Sequence, residues 1–136
     1  MYTIFSNEVL AMKVNLSDAE WKLMNLLWEQ SPRTIMELTA AAREDTGWSK
    51  NTVITMLSRL EAKGSVRHEE GGRAKRYFPV ISQAETAREE TKNFLDKVYG
   101  GSLGLMMSAM VDSRALSEAD IAELSAILDK AGGDKS

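Results

Sequence analysis

The chain has 136 residues, 43% hydrophobic and 27% charged, which suits one compact domain or two small ones and argues against disorder or a fibrous architecture. With no cysteine and a single histidine, His68, it excludes a disulfide framework, a thiolate metal site and a cysteine nucleophile, and leaves a histidine cage or triad without members. Seventeen Lys and Arg against twenty Asp and Glu leave a net charge of −3, a total that by itself gives no sign of a polyanionic partner.

Residues 1–15 follow no period and contain a second methionine, Met12; they are expected to form a poorly ordered leader. Met1–Phe5 lacks the basic and long apolar stretches of a signal peptide. No apolar run nears the roughly 20 residues of a membrane span, so the expected compartment is the cytoplasm. The first helix starts at Ser17, which forms a capping box with Glu20, and Leu16 and Trp21 occupy the two staple positions. Trp21, Met24, Leu27 and Trp28 follow the helical period, and Ser31-Pro32 stops it.

Thr34 and Glu37 repeat the box and open a second helix, with Leu38, Ala41 and Ala42 expected to face inward and Gly47 as its stop. Ser49 caps a third helix that runs to about Lys63, with Val53, Leu57 and Leu60 on one apolar stripe and Gly64 at its left-handed end. The period then changes. Residues 65–70 and 74–80 flank Gly71-Gly72-Arg73 and predict a β-hairpin, whose second strand Pro79 either confines to an edge or ends.

From Ser82, boxed with Glu85, the chain returns to helix, with Phe94, Leu95, Val98 and Tyr99 as its apolar face. Gly100-Gly101 break it. A Met-rich helix over about 102–111 carries Leu103, Met106, Met107 and Met110, and a last helix capped by Ser117 carries Ile121, Leu124, Ile127 and Leu128. The sequence therefore predicts a mainly α protein. Residues 16–81 form one domain, residues 82–131 form three helices whose apolar faces call for a second subunit, and 132–136 form a flexible tail.

Charge by segment says more than the total. Lys50–Arg76 holds seven bases against three acids, a net of +4, and residues 81–136 hold six bases against ten acids, a net of −4. With its stripe turned inward, the third helix presents Lys50, Asn51, Thr52, Thr55 and Arg59 outward, a set of donors and acceptors suited to base edges and phosphates. The Gly-tipped hairpin adds Arg73, Lys75 and Arg76, and the Ser49 hydroxyl is placed to touch a phosphate as well as to cap. Two helices, a reading helix and a basic hairpin make a winged helix-turn-helix DNA-binding domain. The competing expectation is a winged-helix protein-interaction module that binds no DNA. Met106, Met107 and Met110 are read as interface packing rather than copper(I) ligands, and His68 as a wing residue; no enzyme activity, metal or cofactor is predicted.

Several blocks, in order and spacing, resemble the penicillinase-repressor (BlaI/MecI/CopY) family of winged-helix repressors over residues 16–131. They are Leu16–Trp21 with Leu27-Trp28, Trp48-Ser49 with Thr52-Val53, Leu57–Leu60 before Lys63-Gly64, Arg76–Pro79, Lys92–Gly101 and Leu116–Glu118. The resemblance implies a homodimer joined by the C-terminal helices, each subunit placing its third helix in one half of a dyad-symmetric operator and repressing resistance genes or its own operon. Where the family often has Pro-Lys-Thr after Trp-Ser, this chain has Lys50-Asn51-Thr52, a departure that bears on which bases are read. The family's copper-responsive members carry cysteine pairs that this chain lacks. In its beta-lactam-responsive members a membrane sensor protease, or its downstream signal, leads to cutting at an Asn-Phe pair; the aligned pair here is Ala109–Met110.

Overall fold

The computed structural model describes residues 15–133, so the expected leader up to residue 14 and the tail from residue 134 lie outside the described residues. The elements run α1 (Asp18–Glu29), β1 (Arg33–Thr34), α2 (Ile35–Thr46), α3 (Lys50–Ala62), β2 (Val66–Gly71), β3 (Ala74–Pro79), α4 (Gln83–Tyr99), α5 (Leu103–Asp112) and α6 (Glu118–Gly133). Two compact units divide within α4, the first ending at Glu90 and the second beginning at Thr91.

Helix starts follow from local chemistry. Ser17 Oγ accepts from Glu20 N–H at 3.2 Å while Glu20 Oε1 accepts from Ser17 N–H at 2.8 Å. Thr34 and Glu37 do the same at the start of α2. Each box satisfies two donors that a helix end leaves orphaned. Helix α2 ends on Gly47 at φ 68°, and α3 closes with Gly64 at φ 84°. There Ser65 N–H donates to Leu60 O at 2.9 Å and Gly64 N–H to Glu61 O at 3.0 Å, the paired bonds of a Schellman end.

The core of the first unit lies between α1, α2, α3 and the sheet. Leu23, Met24, Leu27, Leu38, Val53, Leu57 and Leu60 have no exposed surface, and Leu16, Met56, Val66 and Tyr77 complete the cluster. Trp21, Trp28 and Trp48 pack against it half-buried, Trp28 donating from Nε1 to Ile81 O at 3.0 Å. Glu20 is also buried. Its carboxylate accepts from Lys63 Nζ at 2.7 Å, and Lys63 reaches Asn15 O at 2.8 Å, so the start of α1 is tied to the end of α3. Burial pushes the Glu20 carboxyl up, but Lys63 and the Ser17 bonds outweigh it and hold the group below its usual range.

Three expectations are corrected. The sheet has three strands in the order β1-β3-β2, all antiparallel, where the sequence predicts only a hairpin. The added strand pairs Arg33 with Tyr77 and Thr34 with Arg76, a match too short to leave a period-2 pattern. Pro79 ends β3, the second of its two expected roles; β3 is the middle strand, but β1 reaches only Arg76 and Tyr77, so Pro79 has a ladder partner, Val66, on one side alone. Ala41 is exposed, and Thr39 is buried beside Leu38 and Ala42. Its hydroxyl donates to Ile35 O at 2.7 Å, which is how a polar side chain takes an inward position. Finally, α6 continues through Gly132 and Gly133, both expected to fray.

In the second unit, Gly100 (φ 58°) and Gly101 (φ 83°) end α4, and Ser102 caps α5 by accepting from Leu105 N–H at 3.1 Å. Ser117 caps α6 in a reciprocal pair with Asp120, whose carboxyl is held low first by the Ser117 backbone N–H.

Candidate nucleic-acid interface

Helix α3 separates its residues by chemistry. Val53, Met56, Leu57 and Leu60 are buried, while Lys50, Asn51, Thr52, Thr55 and Arg59 are all exposed. Anchoring four apolar side chains in the core fixes the rotation of the helix, so the polar row is presented as a rigid set. Ser49 Oγ accepts from Thr52 N–H at 3.2 Å and lies 3.1 Å from the Thr52 hydroxyl. Thr55 donates its hydroxyl proton to Asn51 O at 3.0 Å, which leaves its lone pairs facing out. Among the described residues, no side chain accepts from the side-chain donors of Lys50, Asn51 or Arg59, all three exposed.

The wing turns on Gly72 (φ 77°) and Arg73, with Gly71 opposite Ala74. Arg73, Lys75 and Arg76 are exposed. A Cβ at Gly71 would come within 3.3 Å of the Arg76 guanidinium, so this glycine leaves room for the arginine to lie along the strand. Glu69 stands opposite Arg76 in register but is engaged by Arg67 at 2.8 Å, and Arg67 also covers the Phe78 ring at 4.1 Å. The wing's acids thus spend part of their charge within the hairpin.

His68, expected on the wing, has its partner outside the hairpin. Its Nδ1 makes a short hydrogen bond to Glu61 of α3, and its ring lies 5.6 Å from that of buried Tyr77. Burial, and then the Glu61 charge, push the Tyr77 hydroxyl up. The clasp joins the end of α3 to β2. Glu61 sits seven residues away in sequence, across a change of period, which is why spacing did not reveal it. No group of three His, Cys, Asp or Glu that could hold a metal occurs among the described residues.

In the second unit no described residue is buried. Of the residues expected to join subunits, Phe94, Val98, Leu103, Ile121 and Leu128 are 46–67% exposed, and Leu95, Tyr99, Met106, Met107, Met110 and Leu124 are half-buried. Leu105, Val111 and Ile127 add to this surface, the first two missed because the Met period drew the face elsewhere. Met106, Met107 and Met110 of α5 line one groove with Leu124 and Ile127 of α6. Ala109 and Met110 lie inside α5, their carbonyls bonded by Ser113 N–H at 3.0 Å and Ala115 N–H at 2.9 Å.

The family model described as Penicillinase repressor matches residues 16–130, all of α1–α5 and most of α6. The chain belongs to the penicillinase repressor family. It is 28% identical over 115 residues to the methicillin resistance regulatory protein MecI of Mammaliicoccus sciuri, covering 85% of this chain and 94% of that one. To the penicillinase repressor of Bacillus licheniformis it is 32% identical over 115 residues, covering 85% and 90%. Among solved structures, the DNA-binding domain of the repressor BlaI shares 34% identity over 52% of this chain and 87% of that one, at a TM-score of 0.48. A cysteine-to-serine mutant of MarR from E. coli, 17% identical over 92% and 84%, reaches a TM-score of 0.50 and speaks for the fold alone. The family is one of transcriptional repressors and not of enzymes. No helix among the described residues is long and apolar enough to cross a membrane.

Proposed function

We propose that this chain is a homodimeric, sequence-specific DNA-binding repressor whose two α3 helices enter successive major grooves of a dyad-symmetric operator, with the wings on the flanking backbone. The observation that carries this reading is the exposed row Lys50, Asn51, Thr52, Thr55 and Arg59 on a helix pinned by four buried side chains, beside a basic wing. Membership of a repressor family supports it. On this reading α3 supplies base contacts, while Arg73, Lys75 and Arg76, with Ser49, supply contacts to phosphates.

The dimer rests on the second unit. Isolated soluble proteins seldom leave so many large apolar side chains half-exposed on one set of helices, and a second copy covers them at no cost in new surface types. Relief of repression by a sensor protease or its downstream signal would have to open α5 before cutting at Ala109–Met110, because a protease binds extended backbone and both carbonyls are committed to helical bonds.

Fluorescence anisotropy of the full chain on duplex DNA from its own promoter tests the proposal, with a scrambled duplex as control and a salt series for both. The expected result is tighter binding to one dyad-symmetric segment, falling steeply with salt. Equal binding to both duplexes, or none, overturns it and favours the protein-interaction module.

A further inference from the structure

Beside the start of α3 lies a small cleft of about 130 Å³, walled by Met36, Thr39 and Arg43 of α2 and by Lys50, the first residue of α3. Met36, Thr39 and Arg43 are spaced three and four apart and share one face of α2. Two cations therefore converge on one cleft. Among the described residues no carboxylate lies within ion-pair range of either.

The nearby acids are occupied elsewhere: Asp45 holds Lys22 of α1 at 3.0 Å, and Glu37 caps the Thr34 N–H at 2.8 Å. Glu44 points about 100° round the helix from Arg43. Converging like charges without a counter-ion repel each other, and an anion placed between them removes that cost. Thr39 has given its proton to Ile35 O, so recognition falls to the two cations. Met36, 72% exposed, supplies an apolar wall. A sugar–phosphate unit offers both matching surfaces, an anionic oxygen pair and the carbon edge of a deoxyribose. Lys50 also stands in the exposed row of α3, so the cleft is continuous with that face.

We infer that this cleft seats one phosphate and its deoxyribose from the DNA backbone, with Arg43 anchoring α2 beside each operator half-site; this rests on the DNA binding proposed above. Arg43 gave no signal in the sequence because Arg43-Glu44-Asp45 sums to −1, and only the fold turns the two acids away.

The test measures anisotropy of full-length wild type, Arg43→Ala and Arg43→Lys on the operator and on a scrambled duplex, across a salt series. Arg43→Ala is expected to bind both duplexes about tenfold more weakly and to lower the slope of log affinity against log salt by about 1.8, two phosphates' worth, one for each half-site of the dimer. Arg43→Lys retains most of the affinity, and an unchanged Tm shows that both variants fold. Wild type that binds while Arg43→Ala matches it in affinity and slope overturns the inference alone. A loss confined to the operator also overturns it, since that marks base reading. So does inorganic phosphate that raises the Tm of wild type but not of Arg43→Ala while DNA affinity stays equal. Wild type that binds neither duplex removes the DNA-binding function and this inference with it.

Discussion

Among the described residues up to Glu90, seven large apolar side chains are hidden completely, whereas from Thr91 onward none is buried, although α5 is the most apolar of the described helices. Both regions spend apolar residues at helical spacing; they differ in where the water is excluded. The first unit excludes it within one chain, so its fold is a property of the monomer. The second has too few layers to do so within one chain, and with the proposed dimer its stability would depend on protomer concentration. On the dimer proposed above, the rigid unit would read each half-site and the second unit would join the subunits.

The largest expected effect breaks the first unit. Leu57→Ala leaves a cavity under α3 where no water reaches, and costs about 2–5 kcal/mol, read as a lower urea midpoint at unchanged m-value. The counterpart breaks the second unit. Met110→Glu with Leu124→Glu puts carboxylates on the groove between α5 and α6, and should raise the dimer Kd at least a hundredfold, about 3 kcal/mol, by sedimentation velocity. The first unit's melting transition should stay where it was; if it moves equally, the two regions are not independent.

A subtler variant sharpens the account of the first unit. Glu20→Gln removes the charge that Lys63 faces and should cost about 1–2 kcal/mol at neutral pH, toward the lower figure because Lys63 is itself a third open to water. The folded Glu20 carboxyl titrates below its ordinary 4.5, so its contribution is complete above that value and is lost as pH falls through the folded one. The gap in Tm between wild type and Glu20→Gln should therefore close on acidification below 4.5. The effects on the exposed faces are smallest in stability and are read in DNA binding. Arg73→Ala with Arg76→Ala should weaken binding to every duplex and lower the salt slope by about 3.6, two phosphates for each subunit of the dimer, whereas Asn51→Ala should cost about 1–3 kcal/mol on the operator alone. Wing and helix variants that behave alike would contradict their separate roles.

Most of the first unit was legible because its boundaries are written in local chemistry: Ser17 with Glu20, Thr34 with Glu37, Ser49, Gly47 and Gly64 each act within a few residues of themselves. The outward row of α3 was legible for the same reason, since an apolar stripe defines its opposite face. What escaped depends on distant partners. Strand β1 exists only because Tyr77 and Arg76 pass by, Ala41 and Thr39 exchange expected environments through a hydroxyl that bonds back to Ile35, and His68 finds Glu61 across the α3–β2 turn. The burial of Glu20 is of this kind as well; its sequence signature was a cap, and Lys63, far along the chain, turned it into an internal ion pair.

Thr34 is at once the register partner of Arg76 on β3 and the cap of α2. The arm that carries the wing's bases is thus sewn to the helix-turn-helix through a shared residue, and has already lost its hinge freedom before any duplex approaches. Its encounter with DNA then requires no wait for a loop to find its shape. The association rate of such a head should be governed by diffusion and charge, and differences among operators should show as differences in residence time.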